Sequence, residues 1–197
     1  MNILRAGPPS APNTLVLLHG RGAPAETILT LFQELQLSSE WNAVAPQAPG
    51  NSWYPYSFLA PVQQNQPHLD QSLQSVEEIV SKLTSENVAI LGFSQGACLA
   101  LEFSTRFPRR YAGIMALTGG LITLQDRGSL LGTPIFLGSG DPDAHVPFRR
   151  VEESALHLRS LGARVEIRRY PGLPHTINHD QLNYCRELLA ATKGIPK

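Results

Sequence analysis

Four apolar runs in this chain show no alternation of polar and apolar residues: Leu15 to Leu18, Val88 to Leu91, Ile114 to Leu117 and Ile135 to Leu137. A strand with one face in water alternates, whereas a strand apolar throughout is buried on both faces. A sheet is buried on both faces only when helices cover it, and helical periodicity fills the intervals between these runs. Ile28, Leu31, Phe32 and Leu35 follow the i, i+3, i+4, i+7 spacing. Leu73, Val76, Val80 and Leu83 form a second stripe, with Asp70 placed to cap it. Val151, Ala155 and Leu158 form a third, with Gly162 as its stop. Asn178 and Gln181 have capping-box spacing ahead of a last helix bearing Leu182, Cys185 and Leu189. Ala43 to Ala45 reads as a weaker strand. Val165 to Arg168 does alternate and is expected towards a sheet edge. The pattern predicts one α/β domain over residues 1–197, with a mostly parallel central sheet covered by helices on both faces. Ligands of such sheets bind at the carboxyl ends of the strands.

Charge narrows the function classes. Lys plus Arg is 16 and Asp plus Glu is 16. A neutral chain without a basic run lacks the electrostatic footprint of a nucleic-acid binder or of a polybasic membrane patch. No apolar run is long enough to span a bilayer, so no stable membrane insertion is expected. The N-terminal residues lack the basic and apolar regions of a secretory signal, and Cys98 and Cys185 cannot build a disulfide framework. Both read as free, buried thiols, and the expected compartment is the cytoplasm. Monomer and homodimer both remain open.

The strand Val88 to Leu91 runs into Gly92-Phe93-Ser94-Gln95-Gly96 and then into a helical stretch through Phe107. This is G-x-S-x-G between strand and helix, a turn that lifts a serine hydroxyl clear of the sheet. Gly92 and Gly96 let strand and helix approach closely around it. The Gln95 N–H then lies at a helix start, aimed where an oxyanion would develop. The bland alternative is a tight turn with an incidental serine.

Three further loops follow expected strands. His19-Gly20-Arg21-Gly22 offers the Arg21 N–H as a second oxyanion donor, or is an ordinary turn with His19 as a structural histidine. Gly138 to Pro147 contains Asp141 and Asp143. Asp141, directly before a proline, reads as a turn former, so Asp143 is preferred as the acid that orients a histidine. Tyr170 to His175 places His175 in a loop ahead of the last helix, as the candidate base. The order Ser94, Asp143, His175 is that of the α/β-hydrolases. His179 lies four residues on, but no third ligand accompanies it, so no metal is expected. His145 lies near in sequence, whereas His68 and His157 read as surface residues.

The long segment from Pro46 to His68 carries Trp53, Tyr54 and Phe58. Loops of this length in a compact domain are often functional. These three aromatics are candidate substrate-binding residues that would wall an acyl or aryl pocket, or they complete the core.

The sequence resembles the phospholipase/carboxylesterase family of α/β-hydrolases, which includes acyl-protein thioesterases and small bacterial carboxylesterases. The resemblance runs nearly end to end, through Leu17 to Gly22, Ser52-Trp53-Tyr54, Gly92 to Ala97, Asp141 to Pro147 and Gly172 to His175. It implies catalytic roles for Ser94, Asp143 and His175, and oxyanion donors at the Arg21 and Gln95 amides. Thioesterase members usually carry leucine where Arg21 stands. The stretch from Pro55 to Pro67 looks more like a bacterial esterase branch.

The expectation is therefore a serine carboxylic-ester hydrolase without a large cap domain. It would act on a small-molecule ester through an acyl-enzyme and without a cofactor. The alternatives are a lysophospholipase, acyl-thioesterase or dienelactone-hydrolase-like activity, or a non-catalytic ligand-binding protein on the same fold.

Overall fold

In the computed structural model, which describes residues 1–83 and 88–191, the apolar runs become strands of one seven-stranded sheet. The elements are β1 (Ile3–Ala6), β2 (Asn13–Leu18), α1 (Ala25–Glu34), β3 (Trp41–Pro46), α2 (His68–Val80), β4 (Val88–Phe93) and α3 (Gln95–Arg106). They continue with β5 (Gly113–Leu117), β6 (Pro134–Asp141), α4 (Phe148–Ser160), β7 (Arg164–Pro171) and α5 (His179–Ala191). The strand order is β1-β3-β2-β4-β5-β6-β7, and every pair is parallel except β1 with β3.

The absence of alternation has the expected cause. Val16, Leu18, Ile90, Ile114, Leu137 and their neighbours pack on one face, under α2, α3 and α4. Leu15, Leu17, Leu91, Met115 and Phe136 pack on the other face, under α1 and α5. Successive residues of each strand thus enter two different cores. Burial of each such leucine, isoleucine or phenylalanine contributes roughly 1.5–3 kcal/mol. In α3 every residue from Gln95 to Thr105 is buried, so this helix is enclosed by its neighbours.

Two helix ends match their sequence signals. Asn178 N–H donates to Gln181 Oε1 at 2.8 Å, and Gln181 N–H donates to Asn178 Oδ1 at 2.9 Å. Gly162 lies past α4 with φ +83°, a conformation glycine adopts without strain. Three details differ from expectation. Asp70 is not a cap: α2 begins two residues earlier, and Asp70 in its first turn meets Gln66 and Arg106. Leu83 lies beyond the end of α2, though it still packs on the core. The edge strand β1, only four residues long and half-exposed, shows no readable period.

Because β2, β4, β6 and β7 run parallel, the loops that leave them emerge at one edge of the sheet. That edge receives residues 19–24, Ser94, residues 142–147 and residues 172–178.

Candidate active site

Ser94 sits between the last residue of β4 and the first of α3, at φ 55° and ψ −117°. This backbone conformation costs a non-glycine residue on the order of 1–3 kcal/mol, so the surroundings must impose it. Ser94 N–H donates to the Leu117 carbonyl at 3.0 Å, and Cys98 N–H donates to the Ser94 carbonyl at 3.0 Å. The flanking glycines are required by proximity. A Cβ on Gly92 would lie 2.2 Å from the Gly96 carbonyl oxygen, and one on Gly96 would lie 2.0 Å from that of Leu18.

The histidine and the acid arrive from the neighbouring loops. His175 Nε2 lies 2.8 Å from Ser94 Oγ, and His175 Nδ1 lies 2.8 Å from Asp143 Oδ2. The other Asp143 oxygen accepts the N–H groups of His145 and Val146, at 2.7 and 2.9 Å. Burial alone would raise the Asp143 pKa. The two amide donors and His175 outweigh it and hold the carboxyl below its ordinary value. An ionised Asp143 keeps the proton of neutral His175 on Nδ1, which leaves Nε2 free to accept one from Ser94. Phe93 and His145 flank the His175 ring, at centroid distances of 5.4 and 4.8 Å. Thr118 Oγ1 donates to the Thr176 carbonyl beside it at 3.3 Å.

The structure separates the two aspartates. Asp141 ends β6 and pairs with Arg169, and its carbonyl accepts Gly172 N–H at 2.9 Å. Just before Asp141, Gly140 lets the histidine loop pass, since a Cβ there would lie 2.0 Å from the Leu173 carbonyl oxygen. His19 is a buried structural histidine. Its Nδ1 faces the Gly20 carbonyl at 2.8 Å, and its Nε2 accepts Ala48 N–H at 3.1 Å. Burial lowers its pKa, which suits a neutral ring with the proton on Nδ1.

The Gln95 N–H is the first of α3, where a helix offers no internal acceptor. The Arg21 N–H lies in the loop after β2. Among the described residues no loop or turn acceptor takes either group. The Arg21 guanidinium forms no ion pair among the described residues; it donates to the Pro55 and Tyr56 carbonyls and lies 5.9 Å from the centre of the Tyr54 ring.

Two cavities open beside Ser94 and His175. One of about 440 Å³ is walled by Tyr54, Phe58, Cys98, His145 and Val146. The other, of about 350 Å³, is lined on its far side by Ile28, Leu31 and Ile177. Tyr54 and Phe58, both buried in the core, border the first of these cavities. Trp53 does not. It is 1% exposed and borders neither cavity; its Nε1 donates to the His19 carbonyl at 2.9 Å and its ring lies against the imidazole. Trp53 is a core residue that supports the loop after β2. Cys98 is buried as expected, and burial pushes its thiol up to about 12. His68 is exposed and His157 half-buried against the Gln125 carbonyl.

Sequence reasoning missed His145 as a neighbour of His175. It also missed Asn65, which is fully buried, accepts Tyr56 N–H and donates to the Ser57 carbonyl. The one signal for Asn65 is an amide side chain within a loop short of other backbone partners. A larger cleft of about 700 Å³ lies at the opposite edge of the sheet, against α5, between Arg110, Arg164 and Glu187. Among the described residues no three His, Cys, Asp or Glu side chains converge as metal ligands would.

A serine on a strained strand–helix turn, at the carboxyl edge of a mostly parallel sheet and facing a histidine, defines an α/β-hydrolase fold. The sequence profile of the phospholipase/carboxylesterase family matches residues 4–193, and the chain belongs to that family of serine hydrolases. It is an ester-hydrolysing enzyme by that membership. It is 31% identical to a probable carboxylesterase SOBER1-like protein of Arabidopsis thaliana, over 91% of this chain and 79% of that one. Acyl-protein thioesterase 1 of Saccharomyces cerevisiae is 32% identical over 56% of this chain and 54% of its own. Among solved structures, a phospholipase/carboxylesterase from Dyadobacter fermentans superposes with a TM-score of 0.91 at 45% identity, with 95% of each chain covered. No helix among the described residues is long and apolar enough to cross a membrane.

Proposed function

We propose that the protein is a carboxylesterase in which Ser94 attacks the carbonyl of a small to medium acyl or aryl ester. The observation that carries this reading is the hydrogen-bonded chain Ser94 Oγ, His175, Asp143, with both links at 2.8 Å. His175 Nε2 takes the hydroxyl proton as the Oγ–carbon bond forms. The tetrahedral oxyanion is met by the Arg21 and Gln95 N–H groups, each worth about 3 kcal/mol of barrier. His175 then gives its proton to the departing alkoxide, which leaves as the alcohol. Water enters and loses a proton to His175 as its oxygen bonds the acyl carbon, and His175 returns that proton to Ser94 Oγ as the acyl–Oγ bond breaks and the acid leaves. Asp143 holds the ring tautomer and stabilises the imidazolium. No step requires a cofactor.

The cavity of about 440 Å³ walled by Tyr54 and Phe58 suits one substituent of the carbonyl, and the α1 side suits the other. The cavity size favours small and medium substrates. Hydrolysis of p-nitrophenyl esters from acetate to palmitate tests the reading, with Ser94→Ala as control. Turnover that peaks at short or medium chains and vanishes in Ser94→Ala is expected. A peak at the longest chains would favour lysophospholipase or acyl-thioesterase activity. Full turnover in Ser94→Ala would end the mechanism.

A further inference from the structure

We infer that the side chains of Arg21 and Gln95 are positioning groups, which anchor their own backbone amides to the aromatic loop and so hold the oxyanion hole in register. The inference rests on the proposed reading of Ser94 as nucleophile and of these amides as oxyanion donors.

The two residues are far apart in sequence and come from different strand ends, yet their side chains grip one run of four residues. Gln95 is buried, and its side chain turns back from the start of α3. Its Oε1 accepts Trp53 N–H at 3.0 Å and its Nε2 donates to the Tyr54 carbonyl at 2.7 Å. Arg21 continues the same line, with Nη1 on the Pro55 carbonyl and Nη2 on that of Tyr56. Residues 53 to 56 therefore each give one backbone group to one of the two side chains. A planar guanidinium fork spans two successive carbonyls in a way a single ammonium cannot.

The loop itself is held from behind. Asn65 accepts Tyr56 N–H, Ser72 Oγ donates to the Trp53 carbonyl at 2.6 Å, and Asn51 accepts Gly22 N–H at 2.7 Å. The segment from Ser52 to Tyr56 is thus a brace between the two halves of the hole, one on the β2 loop and one on α3.

Every residue except proline carries a backbone N–H. Any such residue at position 21 could donate to the oxyanion, and a surface loop gives no reason for a long cation that pairs with carbonyls instead of acids. The arrangement is explained if the side chains fix where the amides point. Oxyanion donors must lie within about 2.7–3.1 Å of an oxygen that exists only in the transition state. Misplacement by about 1 Å costs on the order of 100-fold. The loss then falls on kcat and leaves substrate binding nearly intact.

Arg21→Ala tests this, because the residue is exposed and its loss leaves the core packed. On p-nitrophenyl butyrate, kcat is expected to fall about ten-fold or more, with KM within about two-fold of wild type. Affinity for a trifluoromethyl ketone of the same chain length, whose adduct carries the oxyanion, is expected to fall in parallel. Arg21→Lys, which restores donors but not the fork, is expected to recover part of both. An unchanged kcat would overturn the inference, as would a loss confined to KM with trifluoromethyl ketone affinity retained. The parent reading fails separately. A wild-type protein with no turnover and no reaction with a fluorophosphonate removes it and this inference together, whereas an active wild type with an unimpaired Arg21→Ala removes this inference alone.

Discussion

Asp143 and His175, 32 residues apart in sequence, meet at 2.8 Å, whereas Asp141, only two residues before Asp143, is turned to Arg169. The difference comes from the end of β6: Asp141 is still in the strand, and Asp143 lies in the following loop with its side chain fully covered. Asp143→Asn is therefore expected to lower kcat by up to about four orders of magnitude, through loss of the tautomer that leaves Nε2 unprotonated. Asp141→Asn should retain most activity. Steady-state kinetics of the two variants separate these roles, and equal losses would contradict the assignment.

Glycine at position 96 is a steric requirement of the serine turn. Gly96→Ala would bring Cβ within 2.0 Å of the Leu18 carbonyl oxygen, backbone against backbone. Stability is expected to fall by about 3 kcal/mol or more. Chemical denaturation measures it, and a loss below about 1 kcal/mol would show that α3 can retreat from β2.

Much of this arrangement is legible in the sequence because its causes are local. Buried strands such as Val88–Leu91 announce themselves by composition, and the Asn178–Gln181 capping box by spacing. The turn at Ser94 follows from glycines two residues to either side. The remainder depends on what lies opposite a residue in space. Trp53 and Phe58 look alike in a loop of aromatics and both are buried in the core, but Trp53 packs against His19 whereas Phe58 borders the cavity beside Ser94. The half-exposed β1 has too few residues for a period, and Asp70 has a cap residue's chemistry two residues inside its helix. Nothing in the spacing of Arg21 and Tyr56 shows that they touch.

The division between Trp53 and Phe58 is testable. Trp53→Phe removes the donor to the His19 carbonyl and is expected to cost about 1–3 kcal/mol of stability with little change in acyl preference. Phe58→Val enlarges the cavity beside Ser94 and is expected to raise kcat/KM for longer acyl chains by about ten-fold relative to short ones. Melting and chain-length profiles of both variants decide the matter. A profile altered by Trp53→Phe and not by Phe58→Val would reverse the two assignments.

His19 gives the stability a pH dependence. Its folded pKa is lowered by burial, so the folded protein binds fewer protons here than the unfolded chain. Stability is expected to fall as pH drops below the ordinary imidazole value near 6.5, and this contribution levels off below the lowered folded value. Urea denaturation of wild type and His19→Asn between pH 8 and pH 5 would show a shallower slope in the variant. Parallel slopes would mean that His19 protonates freely in the fold.

Every step of the proposed reaction depends on Ser94 as the nucleophile. Reaction with a fluorophosphonate, followed by peptide mass spectrometry, tests it most directly. One adduct on the Ser94 peptide is expected, with none in Ser94→Ala and a much slower reaction in Asp143→Asn. An unlabelled wild type, or an adduct on another residue with turnover retained in Ser94→Ala, would contradict it.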